Sequence, residues 1–132
     1  MYSLYRHSHK STINKIRFNK NGNWLLSCSN IIKNTDIRMM KEIQTFKGHE
    51  KEINTLTWHP TIEEQFVSAG VDGNINFWYI NSNFSYFNKN CHDKEIFDLH
   101  FNLTGNLLVS GSNDQTIKVL FVFIHSFGAE NN

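Results

Sequence analysis

Apolar and polar residues alternate in short bursts along this chain, and one order of bursts occurs three times. Each copy opens on a histidine, His9, His49 and His92, separated by 40 and then 43 residues. Short strand-like segments follow, marked by Ile13 and Ile16, Ile53 and Leu56, and Ile96 and Leu99. Nine residues after each histidine comes an aromatic: Phe18, Trp58 or Phe101. Polar loops come next, at 19–23, 59–64 and 102–106. The chain then resumes as Leu25-Leu26-Ser27, Phe66-Val67-Ser68 and Leu108-Val109-Ser110. A tight turn carrying Asp72-Gly73 or Asn113-Asp114 leads into a further segment, Ile75–Trp78 or Ile117–Leu120. Apolar runs this short, bounded by turn residues at this period, predict about four strands per unit and no long helix.

Agreement of several offsets in three copies identifies a repeat architecture. The unit resembles the WD-repeat family, which runs from a Gly-His to a Trp-Asp. Gly48-His49 matches the opening, whereas Ser8-His9 and Cys91-His92 keep only the histidine. The closing dipeptide is altered in every copy: Thr35-Asp36, Trp78-Tyr79 and Leu120-Phe121. The resemblance covers about residues 3–121. It implies an all-β chain, a partial WD-repeat β-propeller of about three four-stranded antiparallel blades. The repeats are expected at about 9–47, 49–90 and 92–127, with residues 1–8, and Ser3–His7 in particular, as the outer strand of a preceding blade.

The same resemblance implies a structural tetrad. The middle repeat holds it most fully, as His49, Ser68, Asp72 and Trp78. In such blades the histidine reaches the turn aspartate, the serine supports the histidine, and the tryptophan donates its indole N–H. The third repeat keeps His92, Ser110 and Asp114 but has Leu120 at the tryptophan position. The first keeps His9 and Ser27, and its segment Ser29-Asn30-Ile31-Ile32 is too short for the usual aspartate.

Serine, histidine and aspartate also suggest a hydrolase. A nucleophilic serine, however, needs an exposed position on a sharp turn beside an oxyanion hole. Ser68 and Ser110 instead recur inside strands at fixed offsets, so architecture explains them and no catalytic residue is expected. His7, His9 and Cys28 lack the spacing of a tetrahedral metal site. No cofactor, metal or small-molecule substrate is expected. Cys28 and Cys91 stand alone and far apart, without a CxxC pair, and read as reduced, buried small hydrophobes. Thirteen Lys and Arg nearly cancel twelve Asp and Glu, so no strong field draws the chain to nucleic acid or anionic membrane. No stretch reaches the ~18 apolar residues of a membrane helix.

The loops narrow the resemblance. The runs are His9-Lys10 through Asn19–Leu26, Asp36-Ile37-Arg38 with Lys41–Glu52, Trp58-His59-Pro60 with Glu63-Glu64, and Ser110–Asp114. Together they are similar to late blades of the WD-repeat subunits of the cleavage and polyadenylation specificity factor. That resemblance implies a non-catalytic scaffold in nuclear pre-mRNA 3′-end processing, with protein subunits of that machinery as partners. RNA would be met through the complex. No RNA-contact residue is assigned, and Arg6, Lys10, Lys47 and Lys51 read as solvated loop charges. A generic WD-repeat adaptor in another pathway is the alternative, and a hydrolase using Ser68 and His49 ranks behind both. A chain without independent function is the remaining reading.

A closed propeller takes roughly four to eight blades, so three repeats leave the ring open and two apolar end faces uncovered. Past Leu120 the sequence Phe121–Phe127 departs from the family pattern and lacks the polarity of a terminal cap. The expectation is a truncated copy of a full propeller subunit, or the product of an incompletely delimited gene for one.

Overall fold

The computed structural model describes residues 4–122, and these form strands and turns without a helix. Eleven strands follow one another. Lys15–Phe18 (β1), Trp24–Cys28 (β2), Ile32–Asp36 (β3) and Lys41–Phe46 (β4) make the first sheet. Ile53–Trp58 (β5), Gln65–Gly70 (β6), Asn74–Tyr79 (β7) and Phe87–Asn90 (β8) make the second. Ile96–Phe101 (β9), Leu107–Ser112 (β10) and Ile117–Phe121 (β11) make the third. Each sheet is an antiparallel meander in chain order, because consecutive strands are joined by loops too short for a crossover. The sheets are separate blades, and no ring is closed among the described residues.

The third blade contains three strands among the described residues. Any fourth strand in 123–127 lies outside them. The expected outer strand at Ser3–His7 is not formed over Leu4–His7. A strand exists only where a ladder takes up its backbone groups, and this segment instead crosses the first blade. His7 Nδ1 lies 3.8 Å from Glu42 Oε1, and Lys33 donates its ammonium to the Ser8 carbonyl at 3.0 Å. β1 likewise begins two residues later than Ile13 suggests, although the Asn14 amide still bonds the Cys28 carbonyl at 2.9 Å.

The core lies between blades. Strand periodicity of two sends alternate residues to opposite sheet faces, so every blade has a front face toward its predecessor and a back face toward its successor. Leu26, Cys28 and Ile32 on the back of the first blade pack with Ile53, Leu56 and Phe66 on the front of the second. Val67, Ala69 and Ile75 on the back of the second pack with Ile96, Leu99 and Leu108 on the front of the third. Side-chain amides tie the inner strands at matching positions. Asn14 donates to the Ile53 carbonyl at 2.8 Å, and Asn54 to the Ile96 carbonyl at 2.9 Å.

Candidate functional site

The densest polar chemistry lies inside the blades, on their front faces. In the second blade β6 presents Ser68 directly opposite Leu56, and the β6–β7 turn presents Asp72. His49 approaches from the segment ahead of β5. Its Nε2 stands 2.7 Å from Ser68 Oγ and its Nδ1 3.2 Å from Asp72 Oδ2. Trp78 Nε1 donates to Ser68 Oγ at 2.8 Å. An ionised carboxylate only accepts, so Nδ1 carries the histidine proton. Ser68 Oγ, accepting from Trp78, donates its own proton to Nε2. The result is one directed relay, Trp78 to Ser68 to His49 to Asp72. Ser68 is fully buried, and its hydroxyl proton and one lone pair are committed within the blade.

Burial alone would raise the Asp72 carboxyl. The His49 ring and the Asn74 amide, which donates to Oδ1 at 3.0 Å, outweigh that and hold it below the ordinary carboxylate range. In the third blade His92 repeats the arrangement, with Nε2 2.7 Å from Ser110 Oγ and Nδ1 2.8 Å from Asp114 Oδ2. The Thr116 hydroxyl donates to Asp114 Oδ1 at 2.5 Å and is the main cause of that carboxyl's strong depression. The His92 ring adds to it, against the opposing effect of burial.

The first blade solves the missing aspartate differently. Ser29 Oγ lies 2.8 Å from His9 Nδ1, and Ser27 Oγ lies 2.7 Å from Nε2. Sequence reasoning named Ser27 but missed Ser29, because a hydroxyl two residues beyond Ser27 replaces a carboxylate normally found four beyond. A neutral hydroxyl cannot offset an imidazolium. Burial first, and then the nearby charge of Lys33, holds His9 below its ordinary pKa.

Two lysines were also missed. Lys33 and Lys118 sit opposite Ser27 and Ser110 in their ladders. Each donates to the carbonyl just ahead of the blade histidine, Ser8 and Cys91 respectively. The signal was available as a lysine at the same cross-strand position in two repeats. Asn76 takes that position in the second blade, buried and without a protein partner for its amide.

His59 follows β5 and has another role. Its Nδ1 accepts from the Thr61 and Ile62 amides at 3.2 and 3.0 Å, while Nε2 donates to the Gly105 carbonyl at 3.2 Å. Gly105, at φ +80°, permits this approach, since a Cβ there would stand 2.3 Å from the ring. His59 is thus a neutral bridge from the second blade to the β9–β10 turn. Burial lowers its pKa, partly offset by the Gly105 carbonyl.

Trp78 packs at 5.5 Å from Phe46 and 5.9 Å from Phe66, closing the outer part of the first junction. Leu120, paired with Leu108 as Trp78 is with Phe66, fills less of the second. A groove of about 640 Å³ remains there, lined by Phe77, Tyr86, Phe87, Lys89, Leu120 and Phe121. Cys28 and Cys91 are buried and unpaired. His7, His9 and Cys28 form no metal-ligand cluster among the described residues, and no helix in that range is long and apolar enough to cross a membrane.

Three tandem blades, each centred on a hydrogen-bonded histidine–serine pair, define a repeat protein of the propeller class. The family model for the WD domain, G-beta repeat, matches residues 1–33, 40–79 and 85–119, and the chain belongs to that family. It is 30% identical over 141 residues to Polyadenylation factor subunit 2 of Schizosaccharomyces pombe, covering 85% of this chain and 28% of the relative. Coronin-2A of Bos taurus is 28% identical over 127 residues, covering 85% and 24%. Pre-mRNA-processing factor 19 of Caenorhabditis elegans is 32% identical over 79 residues, covering 60% and 16%. The chain therefore spans less than a third of the length of these relatives.

Proposed function

We propose that this chain is a non-catalytic interaction scaffold acting in nuclear pre-mRNA 3′-end cleavage and polyadenylation, bound to protein subunits of that machinery. The observation that carries the pathway is its similarity to Polyadenylation factor subunit 2 over 85% of the chain. The parts of the runs Asn19–Leu26 and Lys41–Glu52 that lie between strands, 19–23 and 47–52, support it, because shared blade architecture alone does not constrain loop residues. The likeness to Pre-mRNA-processing factor 19 is a second link to messenger RNA maturation.

A scaffold reading also suits the relays. Their serines and the side chains of His49 and His92 are sequestered, and their hydrogen bonds are spent on one another rather than presented to a ligand. Removing a member leaves a buried polar group unpaired, at a cost of roughly 1–3 kcal/mol. Their role in this reading is to stabilise the blades. A generic WD-repeat adaptor in another pathway is the second reading, favoured by the equal coverage of Coronin-2A.

The test is affinity capture from nuclear extract with the full chain as bait, read by mass spectrometry against a denatured-bait control. Recovery of polyadenylation-factor subunits is expected. Their absence, with reproducible recovery of subunits from another pathway, would overturn the pathway in favour of the adaptor. A Ser68→Ala chain is expected to lose stability and to show no lost turnover.

A further inference from the structure

The outer half of the first junction is polar where the second is apolar. On the back of the first blade Asn34 stands opposite Leu26 in one ladder and opposite Gln44 in the next. The corresponding pair in the second blade is Phe77 with Phe87. Gln44 crosses to the second blade, where its amide donates to the Ser82 carbonyl at 3.2 Å and to Asn83 Oδ1 at 3.0 Å. Asn34, on the same face, makes no such bond. It is 0% exposed, and neither its amide nitrogen nor its amide oxygen meets a protein partner among the described residues.

Asn76 is the matching case on the front of the second blade. It stands opposite Ser68 and is 1% exposed, with both amide atoms likewise unpartnered. Its counterparts Lys33 and Lys118 carry their polar atom out of the junction to a loop carbonyl. An asparagine side chain is two bonds shorter than a lysine, so its polar atoms stay inside. Trp78 packs beside it, since a Cβ on Gly48 would meet both the indole ring and Asn76 Nδ2. Asn34 and Asn76 thus occupy the third strands of two adjacent blades, each on the face turned to the other blade.

We propose that the junction between the first and second blades is an internal water-binding site, with one water molecule held between the Asn34 and Asn76 amides. Buried polar groups are paired with protein or with ordered water, and these two amides do not bond each other or any other described residue. Each amide offers a donor and an acceptor, which together supply the two to four partners that a buried water takes. The apolar residues around them, Leu26, Ile32, Phe46 and Trp78, offer neither amide an alternative. The water completes a polar seam that Gln44 begins at the rim, and it ties the two blades by a contact that the second junction replaces with Phe77 and Phe87. The site goes beyond the proposed pathway and holds in whichever one the protein serves.

The experiment is high-resolution crystallography of the full chain, joined to melting temperatures of Asn34→Leu, Asn76→Leu and the double variant. Leucine keeps the shape of asparagine and removes its polarity. Wild-type density is expected to show one water oxygen within hydrogen-bond distance of both amides. Each single variant leaves the other amide and the water with one partner fewer, and should melt several degrees lower. The double variant removes both amides and the water together, so it should melt higher than the two separate losses added together predict. Amides bonded directly to each other, amides with separate waters, or no water between them overturn the inference. Losses that simply add overturn it as well. Should a variant fail to fold, the wild-type density decides alone.

Discussion

The Ser29 hydroxyl occupies, at 2.8 Å from His9 Nδ1, the place that the Asp72 and Asp114 carboxylates hold beside His49 and His92. A fully buried hydroxyl has replaced an anion without leaving the ring nitrogen unpaired. Ser29→Ala removes that partner and is expected to cost about 1–2 kcal/mol. The midpoint of urea unfolding should fall while the slope stays constant. An unchanged midpoint would mean that water serves His9 equally well.

Acid should loosen the chain before its carboxylates titrate. His9 and His59 are both held below the ordinary value of 6.5. The unfolded chain therefore takes up protons first as pH falls. Stability from these groups is complete above about 6.5 and is lost as pH drops toward their folded values. Melting temperature should decline between about pH 7.5 and 5.5, and His59→Gln should flatten part of that decline. A melting temperature that rises on acidification contradicts the assignment of both rings as neutral.

Asp72 and Asp114 set a second, lower window. Both are depressed below the ordinary value of 3.8, so their contribution is present above it and is lost as pH falls through the folded values. Asp114→Asn should destabilise the chain at neutral pH and remove part of this steepest acid loss. Denaturant curves at several acid pH values check this directly.

Leu120→Trp should stabilise the chain. The larger ring would occupy the groove beside Phe77 and Phe87, and its N–H could reach Ser110 as Trp78 reaches Ser68. The gain expected is about 1 kcal/mol, read as a higher melting temperature. A lower one would show that the groove cannot receive an indole.

The two thiols should be inert in the native state. Burial pushes Cys28 up to about 12 and raises Cys91 as well. The reactive species is the thiolate. Alkylation at neutral pH should therefore wait on unfolding, and fast labelling of the folded chain would show that the junctions open readily.

The strands and their period were legible in the sequence because each blade repeats the same two-residue alternation between the same turns. The histidine and serine offsets were legible for the same reason, since ladder register fixes which residues face each other. Ser29 was not, because two residues lost from the turn shift its partner out of the expected offset. Lys33 and Lys118 escaped notice because a lysine in a strand reads as solvated, whereas here the stem lies along the sheet and the ammonium meets a carbonyl. His59 read as a loop residue, and only the approach of Gly105 from the next blade gives it a partner.

Sequence alone determined the all-β repeat, its family and the order of its blades, all of which follow from local alternation and turn chemistry. Tertiary structure decided which face of each strand is covered and where Leu4–His7 runs, and how the first blade satisfies its histidine. Those depend on neighbours that come together only when one blade packs on the next, and spacing along a chain carries no record of that packing.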